Sequence, residues 1–82
     1  MKKLRLKQIG SNKTELTYRN DNGEDISILF SYETPVAGYD DHGAFRTDEK
    51  FSVTTSKHIN RYLGGKDVGR TIPQVDIEGM VA

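Results

Sequence analysis

Apolar and polar residues alternate one for one along the first third of the chain. Leu4 and Leu6 sit between Lys3, Arg5 and Lys7; Leu16 and Tyr18 alternate with Glu15, Thr17 and Arg19. Ile26, Ile28 and Phe30 form a third such set. A period of two marks a strand with one buried face. Between these runs lie Gly10-Ser11-Asn12 and Asn20-Asp21-Asn22-Gly23, both rich in turn formers. Directly paired residues of an antiparallel sheet share a face. That rule pairs Leu4 with Tyr18, Leu6 with Leu16, Leu16 with Ile28 and Tyr18 with Ile26. It leaves the loops Gly10-Ser11-Asn12 and Asp21-Asn22-Gly23, with Asn12 and Gly23 at the left-handed position such loops require. The pattern therefore predicts a three-stranded meander. Its inner face is Leu4, Leu6, Leu16, Tyr18, Ile26, Ile28 and Phe30. Lys7 against Glu15 and Arg19 against Asp25 are expected as ion pairs on the outer face.

The period changes once. Ile59, Tyr62 and Leu63 fall at i, i+3 and i+4, which predicts one main helix at about 55–63. Hydroxyl residues at 54 to 56 are placed to cap its start, and Gly64 or Gly65 to end it. This helix is expected to cover the meander's inner face. Pro35 lacks a donor, so a strand near it is expected at an edge or beginning after it. Val36 to Tyr39 reads as a short strand. Asp40-Asp41-His42-Gly43 reads as a turn, with a return strand at Ala44–Arg46 or Lys50–Val53. Over 71–81, Pro73, Asp76 and Glu78 favour a short helix, against the strand-like spacing of Val75 and Ile77. The helix is preferred. The sum is a single α+β domain over 1–82: a small antiparallel sheet, made of the meander and a shorter hairpin, packed by one main helix.

Composition narrows the setting. An 82-residue chain without cysteine has neither a disulfide nor a thiolate ligand. Its stability is expected near the low end of the usual range of roughly 5–15 kcal/mol. No apolar run approaches the ~18 residues of a membrane span, and the start alternates where a signal peptide would be continuously apolar. The expected setting is the cytoplasm, without membrane contact. Formal net charge is zero, yet residues 1–19 carry +5, residues 20–51 carry −6 and residues 52–82 carry +1. The split permits a basic face and an acidic edge. The preferred reading is the simpler one, that the two lobes attract each other in the fold or are both solvated.

No nucleophile, base and orienting group assemble from the sequence, so no catalytic, cofactor or metal residue is assigned. Asp40, Asp41 and His42 offer metal-ligand atoms, but their spacing matches no calcium loop and an ordinary turn accounts for them. The sharpest candidate is an anion or partner surface at the helix start: Thr54, Thr55, Ser56, Lys57, His58 and Arg61, with Tyr32. The plain alternative is that Lys57 and His58 point to water. Lys66 and Arg70 extend the cations into a stripe. The loop from Gly64 to Arg70 is not a phosphate loop, because it follows a helix and lacks the Gly-Lys-Ser/Thr ending. A second candidate is the basic outer sheet face of Lys3, Arg5, Lys7, Lys13 and Arg19. It lacks the interleaved aromatics that stack bases.

Two blocks carry a family likeness: Ser31-Tyr32-Glu33-Thr34-Pro35-Val36-Ala37 and Phe51-Ser52-Val53-Thr54-Thr55-Ser56-Lys57-His58-Ile59-Asn60. Over about residues 31–63 the chain resembles a family of small uncharacterised proteins of bacteriophages and some prokaryotes. The resemblance implies a compact cytoplasmic accessory protein. Its motif positions are Tyr32, Thr34, Pro35, Thr54, Thr55, Lys57, His58 and Asn60, and it brings no catalytic residue. The expected function is a non-enzymatic binding module acting on a host or phage macromolecule, most simply a protein. The alternative is a weak nucleic-acid binder that uses the basic sheet face. A near-neutral pI of about 6.7 counts against a dedicated nucleic-acid binder.

Overall fold

Residues 4–81 are described by a computed structural model. In chain order the elements are β1 (Leu4–Gly10), β2 (Lys13–Arg19), β3 (Asp25–Ser31), β4 (Thr34–Asp40), β5 (Gly43–Thr47), α1 (Val53–Leu63), β6 (Arg70–Ile72) and α2 (Gln74–Val81). They make one six-stranded sheet in sequential order. The first five strands form an antiparallel meander, and β6 joins β5 in parallel after the α1 crossover. The class is α+β. The meander thus runs past the three expected strands and absorbs the expected hairpin.

The pairings read from the alternation are present. Leu4 faces Tyr18, Leu6 faces Leu16, Leu16 faces Ile28 and Tyr18 faces Ile26. In the second turn Gly23 is left-handed (φ 82°), and the Asn20 Oδ1 accepts from the Asn22 and Glu24 amides. In the first, Asn12 is left-handed (φ 60°) as expected. The ladder there closes more tightly than expected: the register shifts between Gln8 and Gly10, and Gly10 pairs with Lys13.

The main correction concerns which helix covers which face. The inner face of the meander, with Leu16, Tyr18, Ile26, Ile28 and Phe30, packs with Phe45 under α2 through Ile77, Met80 and Val81. Helix α1 lies on the other face. Its Ile59, Tyr62 and Leu63 pack on Leu29, Val36, Ala37 and Ala44. The cause is a bulge in β4. The register shifts between Leu29, opposite Ala37, and Phe30, opposite Pro35, so Val36 is supernumerary. A bulge breaks strict alternation. Here Val36 and Ala37 both join Leu29 in the cluster beneath α1. Pro35 is accommodated at that irregularity inside the sheet, not at an edge strand. Leu4 and Leu6 stay 62% and 71% exposed, so the seven-residue inner face is covered only in part.

Helix α1 begins two residues earlier than expected. Its cap is Ser52, whose Oγ accepts from the Thr55 amide at 3.1 Å. Gly64 ends it in the left-handed conformation (φ 88°), donating to the Asn60 carbonyl at 3.0 Å. Helix α2 follows Pro73, whose carbonyl accepts from the Asp76 amide, in agreement with the helical reading of the tail. No helix among the described residues is long and apolar enough to cross a membrane.

Candidate anion-binding groove

Thr54, Lys57, His58 and Arg61 stand at i, i+3, i+4 and i+7, one polar face of α1. Because α1 lies on the face of the sheet that carries Lys13, this row stands beside the β1–β2 turn. Ser11 and Lys13 supply the opposite wall of a groove of about 260 Å³. A shallower depression continues along Lys57, Asn60, Arg61, Gly64 and Gly65. Among the described residues, Lys13, Lys57 and Arg61 have no carboxylate within ion-pair distance. Three cations without a carboxylate partner among the described residues therefore share one concave surface.

A line of hydroxyls beneath the groove fixes the histidine. The Ser52 Oγ donates to the Thr55 Oγ1 at 3.2 Å. The Thr55 and Ser31 hydroxyls are 3.0 Å apart, and the Ser31 Oγ lies 2.8 Å from the His58 Nδ1. Ser31 and Thr55 are buried. With Nδ1 held by Ser31, Nε2 is the ring nitrogen left for a ligand. Burial, followed by the Lys13 and Arg61 charges, lowers the His58 pKa from its ordinary value. The Tyr32 ring lies 6.0 Å from the His58 ring, centre to centre. Tyr32 itself is left-handed (φ 59°), and its amide donates to the Asn12 carbonyl at 2.7 Å. That bond locks the β3–β4 turn to the β1–β2 turn.

The expected surface is thus assembled in part. Thr54, Lys57, His58 and Arg61 line the groove, and Tyr32 stands at its side. Thr55 does not face a ligand, because it points inward as part of the hydroxyl line. Ser56 is exposed outside the groove lining. The stripe does not continue: Arg70 turns away to Asp40 at 2.5 Å, and Lys66 lines neither depression.

The basic sheet face is divided. Lys13 belongs to the α1 groove, while Arg5, Lys7 and Arg19 line a separate depression further along with Glu15 and Asp25. Lys3 lies outside the described residues. Arg19 and Asp25 pair at 3.1 Å as expected. Lys7 and Glu15 are opposite in register but do not pair. Instead Glu15 accepts from the Tyr62 hydroxyl at 2.6 Å, since α1 has docked over it. Asp40, Asp41 and His42 do gather their ligand atoms within 4.8 Å. Two partners already engage Asp40, Arg70 and the His42 amide, while Asp41 contacts the His42 ring at 3.0 Å.

Two contributors escaped the sequence reading. Ser31 lay within a motif block but gave no sign that it would reach His58, 27 residues away. Arg46 spans from β5 to the end of α1. It donates to the Asn60 Oδ1 at 3.0 Å and to the Gly65 and Val68 carbonyls at 2.9 Å each. No local spacing signals such a role.

Fold and groove together define a small α+β protein with a cationic cleft between helix and sheet. The chain belongs to a family of unknown function, DUF8033, which matches residues 4–79. No curated protein and no solved structure gives a significant match.

Proposed function

We propose that this protein is a non-enzymatic binding module that grips an acidic macromolecular partner in the cytoplasm. The observation that carries the reading is the set of cations without a carboxylate partner among the described residues, Lys13, Lys57 and Arg61, around one groove with His58. Cations brought together without counter-charges repel one another, and an anionic ligand relieves that cost. The one Ser–His contact among the described residues supports a non-enzymatic role. Ser31 is 2% exposed and shares its hydroxyl with Thr55, so its oxygen has no path to a substrate. The partner we favour is a carboxylate-rich protein surface of the host or of a phage, in line with the resemblance to phage accessory proteins.

Tyr32 favours a second reading. An aromatic ring beside cations is how proteins hold single-stranded nucleic acid, by stacking a base while the cations follow the phosphates. Titration with a polyglutamate peptide and with an oligothymidylate, following the amides of residues 11–13 and 54–61 by NMR, tests both. A protein-type partner predicts shifts with the peptide that Lys57→Ala and Arg61→Ala weaken. Nucleic-acid binding through three phosphate contacts predicts roughly a twentyfold loss of affinity between 50 and 200 mM salt. Unmoved amides with both ligands at low salt would sink the groove as a binding site.

A further inference from the structure

A second surface lies apart from the groove and does not depend on it. Strand β1 is the first strand of the sheet and pairs with β2 alone. Its residues from Leu4 to Ile9 are all exposed. Leu4 and Leu6 project on the α2 side, beside partly buried Leu16 and buried Tyr18. Arg5 and Lys7 project on the opposite side. Neither has a carboxylate partner among the described residues; Glu15 accepts from Tyr62 and Asp25 pairs with Arg19.

We infer that β1 is a docking edge for an extended segment of a partner protein in which apolar residues alternate with acidic ones. Such a segment adds a strand through backbone hydrogen bonds. Its apolar side chains extend the cover over Leu4 and Leu6, and its carboxylates stand across from Arg5 and Lys7. Charge disfavours a second copy of this chain as the occupant. The antiparallel registers that set Leu4 beside Leu6, or Leu6 beside Leu6, also set Arg5 against Arg5 or Arg5 against Lys7, and like charges directly opposite are destabilising. A slip by one residue puts leucine against a cation. The edge is therefore protected against itself, as charged edge strands commonly are, while remaining complementary to an acidic strand.

The experiment uses the full chain and two synthetic peptides, one alternating valine with glutamate and one alternating valine with lysine. The glutamate peptide is expected to shift the amides of Leu4–Gly10 and slow their exchange, with at least tenfold preference over the lysine peptide. Arg5→Glu with Lys7→Glu, both at exposed positions, is expected to keep the native spectrum elsewhere and reverse the preference. Lys57→Ala with Arg61→Ala is expected to leave the β1 response unchanged, which separates this edge from the groove. Shifts absent from β1, equal response to the two peptides, or an unreversed preference in the charge-swapped variant would overturn the inference. So would self-association through β1 in sedimentation.

Discussion

The Tyr62 hydroxyl donates to the Glu15 carboxylate at 2.6 Å, tying α1 to the strand face that alternation marks as solvent-facing. Tyr62 is half-buried and its ring tilts against Tyr39 at 5.7 Å. A hydrogen bond to a charged acceptor in such a place contributes about 1.5–3 kcal/mol. Tyr62→Phe is expected to destabilise the fold by that order in urea denaturation, with α1 loosened more than α2 in amide exchange. Burial, followed by the Glu15 contact, also pushes the Tyr62 pKa well above 10.0. The unfolded phenol then ionises first, so this contribution is complete below about pH 10 and fades as pH rises further. The Phe variant is expected to lose less stability than the parent over that alkaline range.

His58 carries the opposite sign. Its folded-state pKa is depressed, so the native ring stays neutral where the unfolded ring already takes a proton. Its contribution is full above pH 6.5 and declines as pH falls from there through the folded pKa. Carbon-bound ring proton shifts are expected to titrate below 6.5. Lys13→Ala with Arg61→Ala is expected to raise the midpoint part of the way, because burial is the larger cause. Saturation with an acidic ligand should raise it further. A midpoint at or above 6.5 in the free protein would contradict the burial of the His58 ring beside Lys13 and Arg61.

Strand register was legible because Leu4, Leu6, Leu16, Tyr18, Ile26 and Ile28 share one parity, and Asn12 and Gly23 allow turns at the matching positions. The helix was legible from Ile59, Tyr62 and Leu63, but its destination was not. Leu29 is a lone apolar residue on a polar-looking face, and only the β4 bulge brings Val36 and Ala37 beside it. A two-residue period has no means of announcing where it breaks. The groove followed the same division. Lys57, His58 and Arg61 are local helix neighbours and could be read together. Lys13 joins them only because α1 chose that face, and Ser31 only through the fold.

Gly38 sits opposite Phe45, whose ring covers the space where a side chain would stand. A Cβ there would collide with the Ser27 carbonyl and come within 2.8 Å of the Phe45 Cζ. The first obstacle is backbone of the paired strand β3, so it yields only by distorting the ladder. Gly38→Ala is expected to cost at least the roughly 1–3 kcal/mol of an overpacked core. Thermal unfolding checks this. Gly23→Ala is a useful contrast, because nothing lies within 4 Å of its added carbon and only the positive φ opposes it.

Arg46 closes the crossover between β5 and β6. Its guanidinium bonds the Asn60 side chain and two carbonyls of the 64–69 connection, Gly65 and Val68. Lysine cannot reproduce this, since an ammonium is a point donor and a guanidinium a planar fork. Arg46→Lys is expected to lose at least two of the three bonds, at about 1 kcal/mol for each. The loss should be local: faster amide exchange from Asn60 to Val68, with β1–β3 unchanged. The same region borders the Lys57–Arg61 depression, so acidic-ligand affinity should fall although no ligand contact has been removed. Unchanged exchange at Gly64 and Gly65 in Arg46→Lys would show that the glycine connection holds its shape without the guanidinium.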